Sequence, residues 1–328
     1  MARQIAFREA LREAMNEEMR RDDRVFLMGE EVAEYNGAYK VSQGMLDEFG
    51  PGRVIDTPIS ELGFTAIAVG AAQRGLRPIV EFMTWNFANL AFDQIMNTAS
   101  KMLAMSGGQI NCPIVFRGPN GSAGQLGAQH STAYESFYAN IPGLKVVSPS
   151  NPYDAKGLLK ASIRDEDPVI FMESEVMYGE KGEVPQEEYI IPIGKSDVKK
   201  QGKDVTIVSY NKMMKVAFGA ASELEKEGIN AEIIDLRTIR PLDWKTVLES
   251  VKKTNRLVIV EEQWPMCSVS SELAYHIQKD GFDYLDAPIR RITAADAPLH
   301  YAPNLVALAL PDVPRTVKLV KEVMYLKK

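Results

Sequence analysis

Residues 54–82, VIDTPISELGFTAIAVGAAQRGLRPIVEF, contain the pattern from which we predict the fold. This stretch opens with the apolar pair Val54 and Ile55 and closes with the apolar run 79–82. Between them, residues 61–72 are nearly all apolar or glycine, which is typical of a buried helix. A strand, a helix and a strand in succession predict two parallel strands joined by a crossover helix.

The same alternation extends to both sides of this stretch. Phe7, Leu11 and Met15 recur at four-residue spacing, which predicts a helix with one buried face. Further short apolar runs between helical patterns occur at residues 25–28, 114–116, 144–147 and 169–172. We therefore predict an α/β fold for residues 1–178, with a parallel sheet covered by helices.

A second α/β domain is predicted beyond a polar connection. Residues 179–203 are rich in Glu, Gly and Pro, which is the composition of a surface linker. Residues 204–328 then supply four β-branched runs, DVTIVSY, NAEIIDL, RLVIVEE and PIRRITA, separated by helical patterns. The sequence thus predicts a second and smaller domain of the same class.

Composition narrows the range of functions. The 328 residues include 38 basic and 44 acidic side chains with no long run of one sign, so we expect no nucleic-acid partner. No apolar run reaches the roughly 20 residues of a membrane helix, so no membrane partner is expected. Two distant cysteines favour a reducing compartment. We expect a chain of the bacterial cytoplasm, or a processed chain of the mitochondrial matrix or a plastid.

Glu61 is the most informative carboxylate in the sequence. It stands where the apolar helix of residues 61–72 begins. If water reaches it, it merely complements the helix dipole and stays ionised. If it is buried without a cation, it is driven toward the neutral form and can exchange protons near neutral pH. The residues alone leave both outcomes open.

A glycine-rich run, GPNGSAGQLGAQHS, follows the apolar run 114–116 and ends near His130. Ligands bind at the carboxyl ends of parallel strands, so this run is either a ligand loop or an ordinary surface loop. His130 is correspondingly a candidate for proton transfer or ligand contact, or a hydrogen-bonded structural histidine.

Two further motifs have a functional and a structural interpretation. In EFMTWNF, Met83 and Phe87 belong to an apolar cluster that packs either on a flat heterocycle or within the core. In SIRDEDPVI, Asp165 and Asp167 form either a solvated turn or an oxygen-ligand cation site. Standard signatures of NTPases, dinucleotide-dependent dehydrogenases, zinc proteases and serine hydrolases are absent from the sequence.

Six segments together resemble one family. GEEVAEYNGAYKVSQG, DTPISELGFTAIAVGAA, EFMTWNFANLAFDQI, PIVFRGPNG with GAQHS, PGLKVVSPSNPYDAKGLL and LRTIRPLDW are similar to the beta subunits of the thiamine-dependent, decarboxylating component of pyruvate dehydrogenase complexes. Their order and spread over the chain make the resemblance specific. It implies a pyrimidine-binding thiamine diphosphate domain followed by a transketolase C-terminal-like domain.

The resemblance also implies roles for individual residues. Glu61 matches the glutamate that hydrogen-bonds the aminopyrimidine ring of thiamine diphosphate, and His130 matches a histidine near the substrate. Glu30 matches an acid near the route between two cofactor sites. The residues that match the lining of the pyrimidine ring are Ile59, Met83 and Phe87.

Two metal ions follow from the resemblance. The residues that match a structural potassium site are Ile114, Ser162, Ile163, Asp165 and Asp167, where Asp167 replaces an amide common in relatives. Diphosphate needs Mg²⁺ held by oxygen ligands, commonly through a GDG motif, and the chain has no GDG. An alpha subunit is therefore expected to hold magnesium and diphosphate.

The implied activity belongs to a heterotetramer of two alpha and two beta chains. It is expected to decarboxylate pyruvate and to pass the acetyl group to the lipoyl group of a dihydrolipoyl acyltransferase core. The alternatives are a beta subunit of a branched-chain 2-oxoacid or acetoin dehydrogenase, a non-catalytic docking scaffold, and a complete transketolase-like enzyme.

Overall fold

The computed structural model describes residues 2–326 and divides the chain into two compact units. The first comprises Met1–Ala123 and Phe137–Ile193, and the second comprises Gly124–Ser136 and Gly194–Lys328. The boundary after Ile193 falls within the predicted linker. The short segment Gly124–Ser136, which carries His130, belongs to the second unit although the sequence around it builds the first.

Within the described residues, the first unit has eight strands. They are β1 Ala2–Ala6, β2 Val25–Gly29, β3 Val54–Asp56, β4 Arg77–Glu81, β5 Val115–Pro119, β6 Lys145–Val147, β7 Val169–Glu173 and β8 Lys181–Pro185. Six of them form parallel pairs in the order β6-β7-β5-β4-β2-β3. The apolar runs predicted as strands are thus confirmed, because strands buried on both faces of a parallel sheet need side chains that avoid water.

Helices alternate with these strands. They are α1 Phe7–Arg21, α2 Met45–Phe49, α3 Glu61–Gln73, α4 Trp85–Ala88, α5 Met102–Met105, α6 Glu135–Ala139 and α7 Pro152–Arg164. The side chain of Asn151 accepts a hydrogen bond from the Asp154 amide, and Pro152 occupies the first helical position of α7. Residues 90–105 do not form one continuous helix, because a 3-10 turn, a π-helical turn at Gln94–Ala99 and the short α5 follow one another there.

The predicted linker is more ordered than its composition indicates. β8 lies within it and pairs antiparallel with β1, and the next strand of the chain, Asp197–Lys200, lies within it too. Tyr189 stacks on Tyr153 with ring centroids 4.6 Å apart, and Gly157 of α7 leaves no room for a side chain against Tyr189 and Ile191. Backbone pairing and aromatic contacts therefore hold this polar segment on the first unit.

The second unit is a smaller sheet with helices. Its strands are β9 Asp197–Lys200, β10 Val205–Ser209, β11 Ala231–Asp235, β12 Thr238–Arg240, β13 Leu257–Val260 and β14 Arg290–Ile292. Its helices are α8 Met214–Lys226, α9 Trp244–Thr254, α10 Val269–Gly281, α11 Pro303–Ala309 and α12 Val313–Val323. The sheet order is β14-β13-β10-β11-β9, in which only the β11–β9 pair is antiparallel. The four predicted β-branched runs are confirmed as β10, β11, β13 and β14.

Candidate active site

Glu61 is the first residue of α3 and is buried, with 4% of its surface exposed. The ring of Phe64, one turn further along the helix, lies 5.8 Å from that of Phe82 at the end of β4. This contact fixes α3 against the carboxyl edge of the parallel sheet. Of the two outcomes left open by the sequence, the structure therefore shows the buried one.

Glu30 lies beside Glu61 at the same edge. It follows directly after β2, is 6% exposed, and its Oε1 is buried without a hydrogen-bond partner. Burial, and after it the neighbouring charge of Glu61, raise the pKa of Glu30 to about 7. Two carboxylates are thus held together in a site poor in water, and one of them keeps a proton near neutral pH.

The loop after Glu30 is held by the strand that leads to Glu61. The Asp56 carboxylate, at the end of β3, accepts hydrogen bonds from the Ala33 and Glu34 amides at 2.7 and 3.0 Å. The Thr57 amide donates to the Gly29 carbonyl at 2.9 Å. These bonds tie the two acid-bearing connections together, which fixes the separation of Glu30 and Glu61. No pattern in the sequence indicates this role for Asp56.

The three residues expected to line a flat ring differ in exposure. Met83 and Phe87 are half-buried on the connection that follows β4. Ile59 is 84% exposed in the isolated chain. The roles of all three in ring contact stay predictions.

A buried guanidinium occupies the centre of the same sheet edge. Arg117 of β5 is fully buried, contacts the Glu81 carboxylate with Nη1, and donates to the Glu173 carboxylate at 2.6 and 2.5 Å. Tyr178 adds a hydroxyl that donates to Glu173 at 2.7 Å. Sequence reasoning missed this network, because its three charged members come from three different strands.

His130 is positioned by the second unit. It ends a 3-10 turn, Ala128–His130, within the segment Gly124–Ser136, and is partly exposed. Glu61 and Glu30 belong to the first unit, so the structure describes the two expected catalytic residues in different units.

The residues matched to a potassium site already have nitrogen donors as partners. The Ile163 and Asp165 carbonyls each accept a hydrogen bond from Arg77 Nη1 at 3.0 Å, and the Ile114 carbonyl accepts one from the Val169 amide. Lys145 Nζ lies 2.7 Å from both Asp165 carboxylate oxygens.

The remaining two candidates are engaged as well. Lys145 Nζ also lies 3.1 Å from the Asp167 carboxylate, and the Ser162 carbonyl accepts a hydrogen bond from the Asp165 amide. Lys145 thus neutralises both carboxylates, and Arg77 occupies the Ile163 and Asp165 carbonyls, so the arrangement does not fit an open cage for potassium. Among the described residues, no group of three or more His, Cys, Asp or Glu side chains is arranged to hold a metal ion.

The residues around Glu61 do fit a heterocyclic cofactor. Glu30 Oε1 is a buried acceptor without a partner, and Glu61 supplies a second buried carboxylate beside it. Pairing with the polar edge of a bound heterocycle would relieve both, since buried polar groups are costly without hydrogen bonds. Met83 and Phe87 supply apolar surface on the neighbouring connection.

The outer face of α3 corrects one expectation from the sequence. Its apolar composition predicts burial on all sides, yet Leu62 is 49% and Ile67 67% exposed in the isolated chain. Only one face, with Phe64, Ala68 and Ala72, packs inside the unit. A contiguous exposed apolar face on a helix marks a surface for another protein. In the described part of the chain, no helix is both long and apolar enough to cross a bilayer.

Comparison with known proteins agrees with this architecture. Residues 3–181 match the family described as "Transketolase, pyrimidine binding domain", and residues 194–315 match "Transketolase, C-terminal domain". Among solved structures, a chain titled "Split gene transketolase, inactive beta4 tetramer" is similar with a TM-score of 0.80. It covers 99% of this chain and 100% of its own at 22% identity, so it supports the fold alone.

Relatives of much higher identity carry one description, "Pyruvate dehydrogenase E1 component subunit beta". One from Rhizobium meliloti is 60% identical, covering 98% of this chain and 70% of the relative. One from Rickettsia felis is 56% identical, covering 98% and 99%. A mitochondrial form from Oryza sativa, subunit beta-1, is 55% identical, covering 99% and 88%. With both domain matches and a buried Glu61 at the start of α3, these relatives show that the chain belongs to the family of pyruvate dehydrogenase E1 component beta subunits.

Proposed function

We propose that this chain, together with an alpha subunit, carries out the oxidative decarboxylation of pyruvate and transfers the acetyl group to a lipoyl-bearing acyltransferase. The single observation that carries the proposal is the burial of Glu61 beside Glu30 in the unit that matches the pyrimidine-binding domain. The descriptions of the bacterial and mitochondrial relatives support pyruvate as the substrate. They also support a bacterial cytoplasm or a mitochondrial matrix as the setting.

The residues of this chain have distinct tasks in the proposal. Bound thiamine diphosphate supplies a carbon nucleophile and an electron sink for decarboxylation. Glu61 donates or accepts a proton at the pyrimidine ring nitrogen, which requires a carboxyl group shielded from water. Glu30 stores a proton beside it, and its raised pKa suits that task near neutral pH. The surfaces of Ile59, Met83 and Phe87 hold the ring, and His130 contacts the substrate.

An alpha subunit is proposed as the partner for two reasons. The chain has no GDG motif, so Mg²⁺ and the diphosphate need ligands from another polypeptide. The apolar face of α3, with Leu62 and Ile67, needs a protein surface to cover it. A heterotetramer of two alpha and two beta chains meets both needs.

The decisive experiment replaces Glu61 with Gln in the reconstituted complex. We expect the rate of pyruvate decarboxylation to fall at least about 100-fold, because proton transfer by a positioned side chain contributes that much or more. Glu48→Gln is the matched control, since Glu48 lies on α2 in an exposed ion pair with Arg20. Circular dichroism and gel filtration verify that both variants fold and assemble with the alpha subunit.

Three outcomes contradict the proposal in different ways. An unchanged rate for Glu61→Gln would leave the chain as a docking scaffold without a catalytic role. Faster turnover of 3-methyl-2-oxobutanoate or acetoin than of pyruvate by the wild-type complex would replace the substrate. Thiamine-dependent turnover by this chain without any partner would remove the need for an alpha subunit.

A further inference from the structure

The segment Gly124–Ser136 is built into the second unit by small side chains. Ala128, Ser131 and Thr132 line a narrow cavity together with Trp264, Ala294 and Leu299, which follow β13 and β14. Residues of this size allow the backbone of the segment to lie close to its support. The turn with His130 is therefore carried on the carboxyl end of the second sheet.

The turn itself is braced from within. The Ser131 hydroxyl donates to the Gly127 carbonyl at 2.7 Å, and Ser131 is buried. Gly127 has a φ of 76°, a backbone conformation that residues with a Cβ rarely adopt. The brace closes the turn on both sides of His130, so that its backbone cannot rotate independently of the segment.

One pair of side chains anchors the end of the segment. Glu135 and Gln263 are both 3% exposed, and Gln263 Nε2 donates to the Glu135 carboxylate at 3.1 Å. Gln263 is fixed in turn, because its Oε1 accepts from the Val269 amide at 3.3 Å and its carbonyl accepts from the Ala294 amide at 3.0 Å. The anchor thus connects the His130 segment to α10 and to the end of β14.

We infer that Glu135 and Gln263 are positioning residues that hold His130 in its place for the reaction. The inference rests on the proposed function, which gives His130 its contact with the substrate. The second unit then has a part in catalysis beyond any docking surface, since it sets the location of a side chain from the pyrimidine-binding half of the sequence. A buried pair of hydrogen-bonding side chains restricts motion more than exposed contacts do.

The test swaps the amide and carboxylate side chains of Gln263 and Glu135. Gln263→Ala removes the donor and is expected to raise amide hydrogen exchange across residues 124–136 and to lower kcat for pyruvate about 10-fold, because small misplacements of a catalytic group are costly. Gln263→Glu places two carboxylates together and is expected to lower kcat further. Adding Glu135→Gln to Gln263→Glu reverses donor and acceptor and keeps the net charge. This double variant is expected to return both the rate of amide hydrogen exchange and kcat to the wild-type values.

The control is Thr206→Val, which removes a buried hydroxyl of the second unit that lies 2.6 Å from both Ser250 Oγ and Thr254 Oγ1. It costs stability without touching the segment, so kcat should stay at the wild-type value. Faster amide hydrogen exchange with unchanged kcat in Gln263→Ala would overturn the inference. So would a double variant, Glu135→Gln with Gln263→Glu, whose kcat stays low. If His130→Ala and Glu61→Gln also keep full activity, the proposed function itself has failed.

Discussion

Two groups of buried carboxylates lie at the carboxyl edge of the first sheet, and they are compensated in opposite ways. Glu81 and Glu173, at the ends of β4 and β7, share the guanidinium of Arg117. Glu30, which follows β2, has an Oε1 without a hydrogen-bond partner within residues 2–326, and its charged neighbour is another acid, Glu61, which follows β3. All four side chains are buried, and the two groups differ in the partners of their carboxylates.

One edge of the sheet thus serves both stability and chemistry. Arg117 satisfies its acids with hydrogen bonds in fixed directions, although burial still raises the pKa of Glu81. Glu30 has only another acid as its charged neighbour, and a proton rather than an arginine compensates it. The first group holds the strands together, and the second is left ready to bind and exchange protons.

The largest effect on stability is expected from Arg117→Met. Removing the guanidinium leaves Glu81 and Glu173 buried without a cation, which should lower the free energy of unfolding by about 3–5 kcal/mol. Urea denaturation measures this change in the free energy of unfolding. Arg24→Met is the matched control, because the exposed Arg24–Asp22 ion pair should contribute little to stability.

Compensating substitutions test whether the unpaired carboxylates cause this loss of stability. Glu81→Gln and Glu173→Gln added to Arg117→Met remove the unpaired charges and should recover part of the loss. If Arg117→Met alone stays within about 1 kcal/mol of the wild type, water reaches this edge and the contrast between the two groups is wrong.

A pH-dependent effect of intermediate size is expected at Glu30. Its folded pKa of about 7 lies above that of the unfolded chain, so the folded state binds more protons between these two values. The free energy of unfolding therefore falls as pH rises from about 4.5 to 7, by on the order of 2 kcal/mol. Glu30→Gln should abolish this fall, as measured by urea denaturation at pH 5 and pH 8.

The neighbour of Glu30 provides an internal comparison. Glu61→Gln removes the second cause of the raised pKa, so the fall in stability should shrink without vanishing, since burial of Glu30 remains. Glu34→Gln, in an exposed position of the same loop, should leave the fall unchanged. A Glu30→Gln variant with the full pH dependence of the wild type would show that Glu30 does not hold the proton.

The contrast also marks how far the sequence could predict the site. The parallel strands were predictable because each is a short apolar run, and Glu61 drew attention because it stands alone in such a run. Its burial comes with the packing of α3 against the sheet, which includes the Phe64–Phe82 contact and which the sequence does not show. Pairing of Arg117 with Glu81 and Glu173 joins residues 36 and 56 positions apart, and no local pattern indicates such pairs.

Two segments whose placement differs from the expectation have the same physical origin. Residues 179–203 are polar, so they were predicted as a linker, but strand β8 is held by backbone hydrogen bonds to β1, which need no apolar side chains. His130 was predicted from a glycine loop of the first domain, yet small side chains place its segment in the second unit. Packing between distant segments decides both cases, and local composition cannot report it.

The smallest effect is expected at a third group of acids, Asp165 and Asp167, which Lys145 compensates in a partly exposed position. Burial alone would lower the pKa of Lys145, but hydrogen bonds to both carboxylates outweigh it and raise that pKa.

If Lys145 is the resident cation, replacing K⁺ by choline in the buffer should change the wild-type free energy of unfolding by less than about 0.5 kcal/mol. Lys145→Gln should lower it by about 1 kcal/mol, and K⁺ should recover part of that loss, since carboxylate oxygens suit hard cations. A wild-type protein that loses more than about 1 kcal/mol without K⁺ would show that potassium binds here.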